Sequence, residues 1–130
     1  MGRTLPLVLL LLTACSSLQD VSLYDARGKL VGGFTVDGSG SSIVRSADGE
    51  RIATARDGVV RSTAGIEWGR VVENGYLDIH DEEGTLVGSI RAQTDCYNDA
   101  VVRMGRASKA VLAEAIGAAC LTLLLRPQTP

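Results

Sequence analysis

A short turn-and-strand unit recurs along the chain, and this repeat restricts the fold more than any other feature. Asp25-Ala26-Arg27-Gly28 launches Lys29 to Phe34, and Asp81-Glu82-Glu83-Gly84 launches Thr85 to Ile90, so that LYDARGKLVGGF aligns with IHDEEGTLVGSI. Weaker copies open at Ser46-Ala47-Asp48-Gly49, Ser62-Thr63-Ala64-Gly65 and Asp95-Cys96-Tyr97-Asn98. Asp or Ser at the first turn position can bond the backbone two residues on, and Gly or Asn at the fourth tolerates positive φ. This is the chemistry of a type I turn followed by a left-handed residue, a common hairpin loop.

The offsets from each opener repeat as well. The sixth residue on is Val31, Ile52, Trp68, Val87 and Val101, and the ninth is Phe34, Ala55, Val71, Ile90 and Met104. The seventh is small in Gly32, Ala53, Gly69 and Gly88, with Val102 as the exception. Small residues beside large apolar ones indicate close backbone approach near a shared core. Two residues before the openers stand Leu23, Val44, Val60, Ile79 and Gln93, apolar in four copies as the incoming strand of a half-buried hairpin requires. Asp37-Gly38, Asp57-Gly58 and Asn74-Gly75 supply turn signals between units, whereas the joint at Arg91-Ala92-Gln93 has none. The reading is an all-β domain over residues 21–125, built as five hairpin repeats in a meander around a central axis.

Units of the form φ-x-D-x-x-G-x-φ-V-G-x-φ, joined by Asp-Gly or Asn-Gly and followed by Leu121-Thr122-Leu123-Leu124-Leu125, resemble the five-fold β-flower proteins. The resemblance implies small bacterial domains whose hairpins splay round an axis. It implies no chemistry, so it carries over no site residues.

The chain opens with a targeting pattern. Arg3 gives a positive start, Leu5 to Leu12 is an apolar run too short to span ~30 Å of hydrocarbon, and Leu12-Thr13-Ala14-Cys15 resembles the bacterial lipobox. The expectation is a signal peptide over residues 1–14, cleavage before Cys15, and lipidation of its thiol and amine. Residues 15–20 then form the lipidated Cys and a short tether. Acylated Cys15 would hold the domain on a bilayer. Ser16 after the Cys fits the outer membrane, facing the periplasm.

Removing residues 1–14 takes Arg3 with it and leaves 12 basic against 15 acidic residues, a net charge near −3. Mild acidity with interspersed signs argues against nucleic acid as a partner. An envelope protein or a glycan is the expected ligand class. With one Trp, one Phe and three Tyr, the core must be aliphatic.

The C-terminal part differs in kind. Ser108 is placed to cap a short helix over Lys109 to Ile116 that Gly117 stops. Ala118 to Leu125 then reads as an apolar C-terminal strand buried on both faces. One continuous helix from Lys109 to Leu125 is the competing reading, and a membrane segment a third. Residues 126–130 form a polar tail.

Few residues carry chemistry. His80 is the single histidine, with Asp78 two residues away on the same strand face and able to orient it as a base. That spacing supports only an alternative reading, an envelope enzyme acting on a cell-wall or small polar substrate. No metal-ligand spacing, cofactor loop or nucleophile elbow accompanies it, so no catalytic, metal or cofactor site is assigned. Trp68 stands at a core offset but could instead line a groove, and with Tyr76, His80 and Tyr97 it forms the candidate binding surface. Cys96 and Cys120 remain once Cys15 is acylated; they are a candidate disulfide provided a buried strand passes close to the fifth turn. The expected function is a non-catalytic structural or binding module of the bacterial envelope.

Overall fold

The computed structural model describes residues 18–126; the expected signal segment, Cys15 and the end of the polar tail lie outside the described residues. Ten strands follow in order: β1 (Gln19–Asp25), β2 (Leu30–Val36), β3 (Ser42–Ser46), β4 (Arg51–Arg56), β5 (Val59–Ser62), β6 (Glu67–Asn74), β7 (Tyr76–Asp81), β8 (Leu86–Arg91), β9 (Asp95–Asn98) and β10 (Arg103–Ala107). They precede one α-helix, α1 (Ala113–Cys120), which runs on into a π-helical turn, Leu121–Leu125. Each strand pairs antiparallel with the next, and β10 returns to β1 with Leu23 opposite Ala107 and Asp25 opposite Gly105. The meander is therefore a closed barrel, and closure removes the open edges that would invite aggregation.

The five repeat turns lie at one end of the barrel. In the first, the Asp25 carboxylate accepts hydrogen bonds from the backbone N–H of Arg27 and Lys29, both at 2.9 Å, and Gly28 takes φ 82°. Asp81 and Gly84 reproduce this geometry in the fourth. Ser46 and Ser62 use a hydroxyl instead, accepting from Glu50 and Ile66 at 3.2 Å.

The fifth unit needs a correction. Its opener is not Asp95 but Asn98, whose Oδ1 accepts from the N–H of Ala100 and Val102 at 3.0 and 2.9 Å. Val101, at φ 61°, takes the place of the glycine. The offsets then shift by three residues and the exceptions vanish: the sixth residue becomes Met104, the seventh Gly105 and the ninth Ala107. Two before the opener stands Cys96, a wall residue of β9 and not a turn-tip residue. Leu23, Val44, Val60, Ile79 and Cys96 then form a ring in which every member is 0 % exposed. Phe34, Ala55, Val71, Ile90 and Ala107 form a second buried ring.

Every unit also carries a β-bulge at one position. Leu23 faces Gly32 while Tyr24 faces Leu30, which leaves Val31 extra; the same shift leaves out Ile52, Trp68, Val87 and Met104. A bulge at a barrel rim re-aims a side chain. Here Val31, Trp68 and Val87 turn to pack against the core.

At the opposite end the chain passes between units. The Asp37 joint is longer than a two-residue turn: its carboxylate accepts from the N–H of Ser39 and Ser41 at 2.9 and 3.1 Å. The fourth joint holds Ala92 and Gln93 at φ 54° and 69° without any glycine. β1 also begins at this joint end, since Gln19 pairs with Val36. The two last residues of the expected tether are thus already strand.

Ala118 to Leu125 is helical, not a strand, and Gly117 lies inside the helix instead of stopping it. Ser108 does not cap it; its N–H donates to the Ser22 carbonyl at 2.8 Å and its hydroxyl accepts from the Ser22 N–H at 3.0 Å, extending the β1–β10 seam. The element threads the barrel from the joint end, where Leu112 lies beside Gly40, to the turn end, where Leu123 reaches Gly32. An eight-stranded barrel can be filled by its own side chains, but ten strands enclose more space. Here the helix fills it. Ala115 to Thr122 is buried all round, as expected of a helix with no solvent face. Its small residues keep it thin, and the buried Thr122 hydroxyl donates to the Ala118 carbonyl at 2.8 Å. Among the described residues no helix is long and apolar enough to cross a membrane.

Candidate functional site

The plugged interior directs attention to the outside of the barrel, where the repeat exposes apolar side chains at the turn end. Leu30, Ile66, Leu86, Val101 and Val102 all follow within five residues of a turn opener, and each is more than 40 % exposed. They surround the half-buried bulge residues. Within this crown the Arg126 guanidinium lies over the Trp68 ring, 3.5 Å from its centroid. Partial burial lowers the Arg126 pKa, and nearby Glu82 opposes that shift. Trp68 is thus neither a buried core residue nor an open groove wall; it closes the rim from inside and takes a cation on its face.

Tyr76, at the joint end, and Tyr97, farther along the wall on β9, share one cation because β7, β8 and β9 are neighbours. The Arg91 guanidinium sits between them, 5.4 Å from the Tyr76 centroid and 5.6 Å from that of Tyr97. Arg91 Nε also donates to Ser89 Oγ at 3.4 Å. A groove of ≈ 380 Å³ adjoins the cluster, bordered by Glu73, Tyr76, Arg91, Leu112 and Glu114. Two stacking rings and a cation suit a planar or sugar-like surface, but the glutamates flanking the groove oppose an anionic ligand. Nothing in the sequence distinguishes Arg91 from other surface arginines.

His80 is on the outer face of β7, half-buried, opposite Arg70 of β6. It borders a groove of ≈ 330 Å³ with Glu67, Arg70 and Glu82. Two of the charged groups there are engaged with each other: Arg70 donates to both Glu67 oxygens at 3.1 and 3.2 Å. That bond lowers the Glu67 pKa and raises that of Arg70. Of the four candidate binding residues the structure joins only Tyr76 and Tyr97; Trp68 belongs to the turn end and His80 to the wall. Among the described residues no three His, Cys, Asp or Glu converge as a metal site would require.

Cys96 and Cys120 do meet. Both are fully buried, one on the barrel wall and one on α1; they are free thiols in this structure, and Cys96 is close enough to help raise the Cys120 pKa. Compared with family models, with curated proteins and with solved structures, the chain matches none.

Proposed function

We propose that the chain is a lipid-anchored module of the bacterial envelope that binds without catalysing, held by Cys15 at its joint end and presenting its turn-end crown to a polypeptide partner. The observation that supports this reading is the barrel's polarity. Leu18 enters at the joint end, and Cys15 stands three residues before it, a reach of at most ~10 Å. The crown lies a strand length away; the six residues of β7 alone rise ~20 Å. A short tether at one end therefore keeps the other clear of the bilayer. The exposed apolar side chains there are of the kind a protein partner covers. An enzyme reading with His80 as base has less support, since Arg70 and Glu67 beside it are already paired.

Trp68 makes the arrangement measurable, because it is the only tryptophan and sits at the turn end. In vesicles of zwitterionic phospholipid brominated near the headgroup, Trp68 fluorescence of the lipidated protein should not be quenched. A Trp68→Phe/Tyr76→Trp variant, reporting from the joint end, should be. Quenching of Trp68 as strong as that of the joint-end reporter would contradict the orientation. Fatty-acid labelling that persists in Cys15→Ala would contradict the anchor.

A further inference from the structure

Cys96 and Cys120, free thiols in this structure, bring together the barrel wall and the helix inside it. Two independent features define the pair. Both residues are 0 % exposed, and Cys96 is close enough to act on the Cys120 thiol. The register places Cys96 opposite Gly105, and a Cβ on Gly105 would come within 2.8 Å of Leu124, one helical turn beyond Cys120. One stripe of the helix, Cys120 and Leu124, therefore faces β9 and β10.

We propose that Cys96 and Cys120 are joined by a disulfide in the mature protein, and that this staple forms before the helix seals the barrel. The inference rests on the reading that the chain matures in the envelope, where disulfides persist. The oxidant is a disulfide donor, either a protein dithiol oxidase or a small-molecule disulfide. The thiolate of one cysteine attacks a donor sulfur, releases the first donor thiol and leaves a mixed disulfide. The second cysteine's thiolate then attacks the chain's own sulfur in that bond. The Cys96–Cys120 bond forms, the second donor thiol leaves, and two electrons and two protons have passed to the donor. The sealed barrel disfavours both steps. A donor has no path to either sulfur, and burial, reinforced by the neighbouring Cys96 thiol, pushes the Cys120 thiol pKa up. Exchange therefore belongs to a state in which the helix is still outside. The same exclusion protects the finished bond from reductant.

The test uses the full chain extracted from its native envelope, denatured in an alkylating agent, and weighed intact. Expected are no alkyl groups on Cys96 or Cys120 without prior reduction, and one on each after it. Alkylation of both without reduction overturns the staple. Cys15 reports separately: if it is unlipidated, a further alkyl group appears on it with or without reduction, and the staple is judged as before. For the shielding on which the order of events rests, the native protein is exposed to a small thiol reductant. Leu121→Ala, which loosens the helix, should speed loss of the disulfide at least about tenfold. Equal rates in parent and variant overturn the claim that the sealed barrel shields the bond.

Discussion

A methyl group on Gly69 would lie 2.7 Å from Cδ2 of Leu121, so a leucine of the central helix occupies the space that the glycine leaves empty. The relationship recurs round the barrel. Leu123 stands behind Gly32, Leu125 behind Gly88 and Leu124 behind Gly105. Only the second unit fills the position with a side chain, the methyl of Ala53. The small seventh residue of the repeat is thus the wall's contribution to helix packing.

Gly69→Ala should consequently destabilise the protein. Removing a glycine stabilises by ~0.4–1 kcal/mol through the unfolded chain, whereas forcing atoms into a filled core costs ~1–3 kcal/mol. The new methyl would also collide with the His80 carbonyl oxygen. The expected net loss is about 1–2 kcal/mol in denaturant unfolding. A stabilised variant would show that the helix does not press on the wall at this point.

Val101→Gly should do the opposite. A β-branched residue at φ 61° carries a penalty of ~1–2 kcal/mol, while the added freedom of glycine costs ~0.5–1 kcal/mol. Val101 is 56 % exposed, so little packing is lost. The expected gain is up to about 1 kcal/mol, read from the midpoint of a urea melt. In Gly84→Val the sign reverses, with a loss of ~1–2 kcal/mol. If both substitutions move stability the same way, the alignment of the fifth turn with the fourth is wrong.

Acid should weaken the turns. The Asp25 carboxyl is held below its ordinary pKa of 3.8, chiefly by the Lys29 N–H and then by that of Arg27. Asp37 is lowered too, chiefly by the Ser39 hydroxyl. A carboxylate whose folded pKa is depressed stabilises the fold above its unfolded pKa and loses that contribution as pH falls through the folded value. Melting temperature should therefore drop as pH falls from about 4 to about 2. The drop should be shallower in Asp25→Asn/Asp37→Asn, since Asn98 shows that an amide supports the same kind of turn. An equally steep drop in the double variant would remove these two groups from the explanation.

Several of these features are legible in the residues alone. The Asp-x-x-Gly turns, the small seventh position and the apolar rings follow from alternation and turn chemistry, both local. The fifth unit is misplaced by a scan keyed on glycine, because Asn98 replaces the acid and Val101 the glycine. Ala118 to Leu125 misleads for a different reason: a strand buried on both faces and a helix buried all round both appear as an unbroken apolar run. The signal that separates them is residue size and branching. Ala115, Gly117, Ala118, Ala119 and Cys120 are small and unbranched, and a row of small wall residues implies an object passing behind them. The candidate site is less legible. Tyr76 meets Tyr97 only because β8 lies between their strands and supplies Arg91, and Trp68 meets Arg126 only because the helix crosses the barrel.

The helix as the axis of the barrel is tested most directly by thermal unfolding of two truncated chains, one ending at Arg126 and one at Gly117. The first should melt as the full chain does. The second lacks the fully buried Leu121, a side chain worth ~1.5–3 kcal/mol, and the half-buried Leu123, Leu124 and Leu125, against the ~5–15 kcal/mol of net stability of a small domain. It should show no cooperative transition, or should aggregate. A chain ending at Gly117 that remains monomeric and melts at the full-length temperature would mean that the barrel stands without its centre.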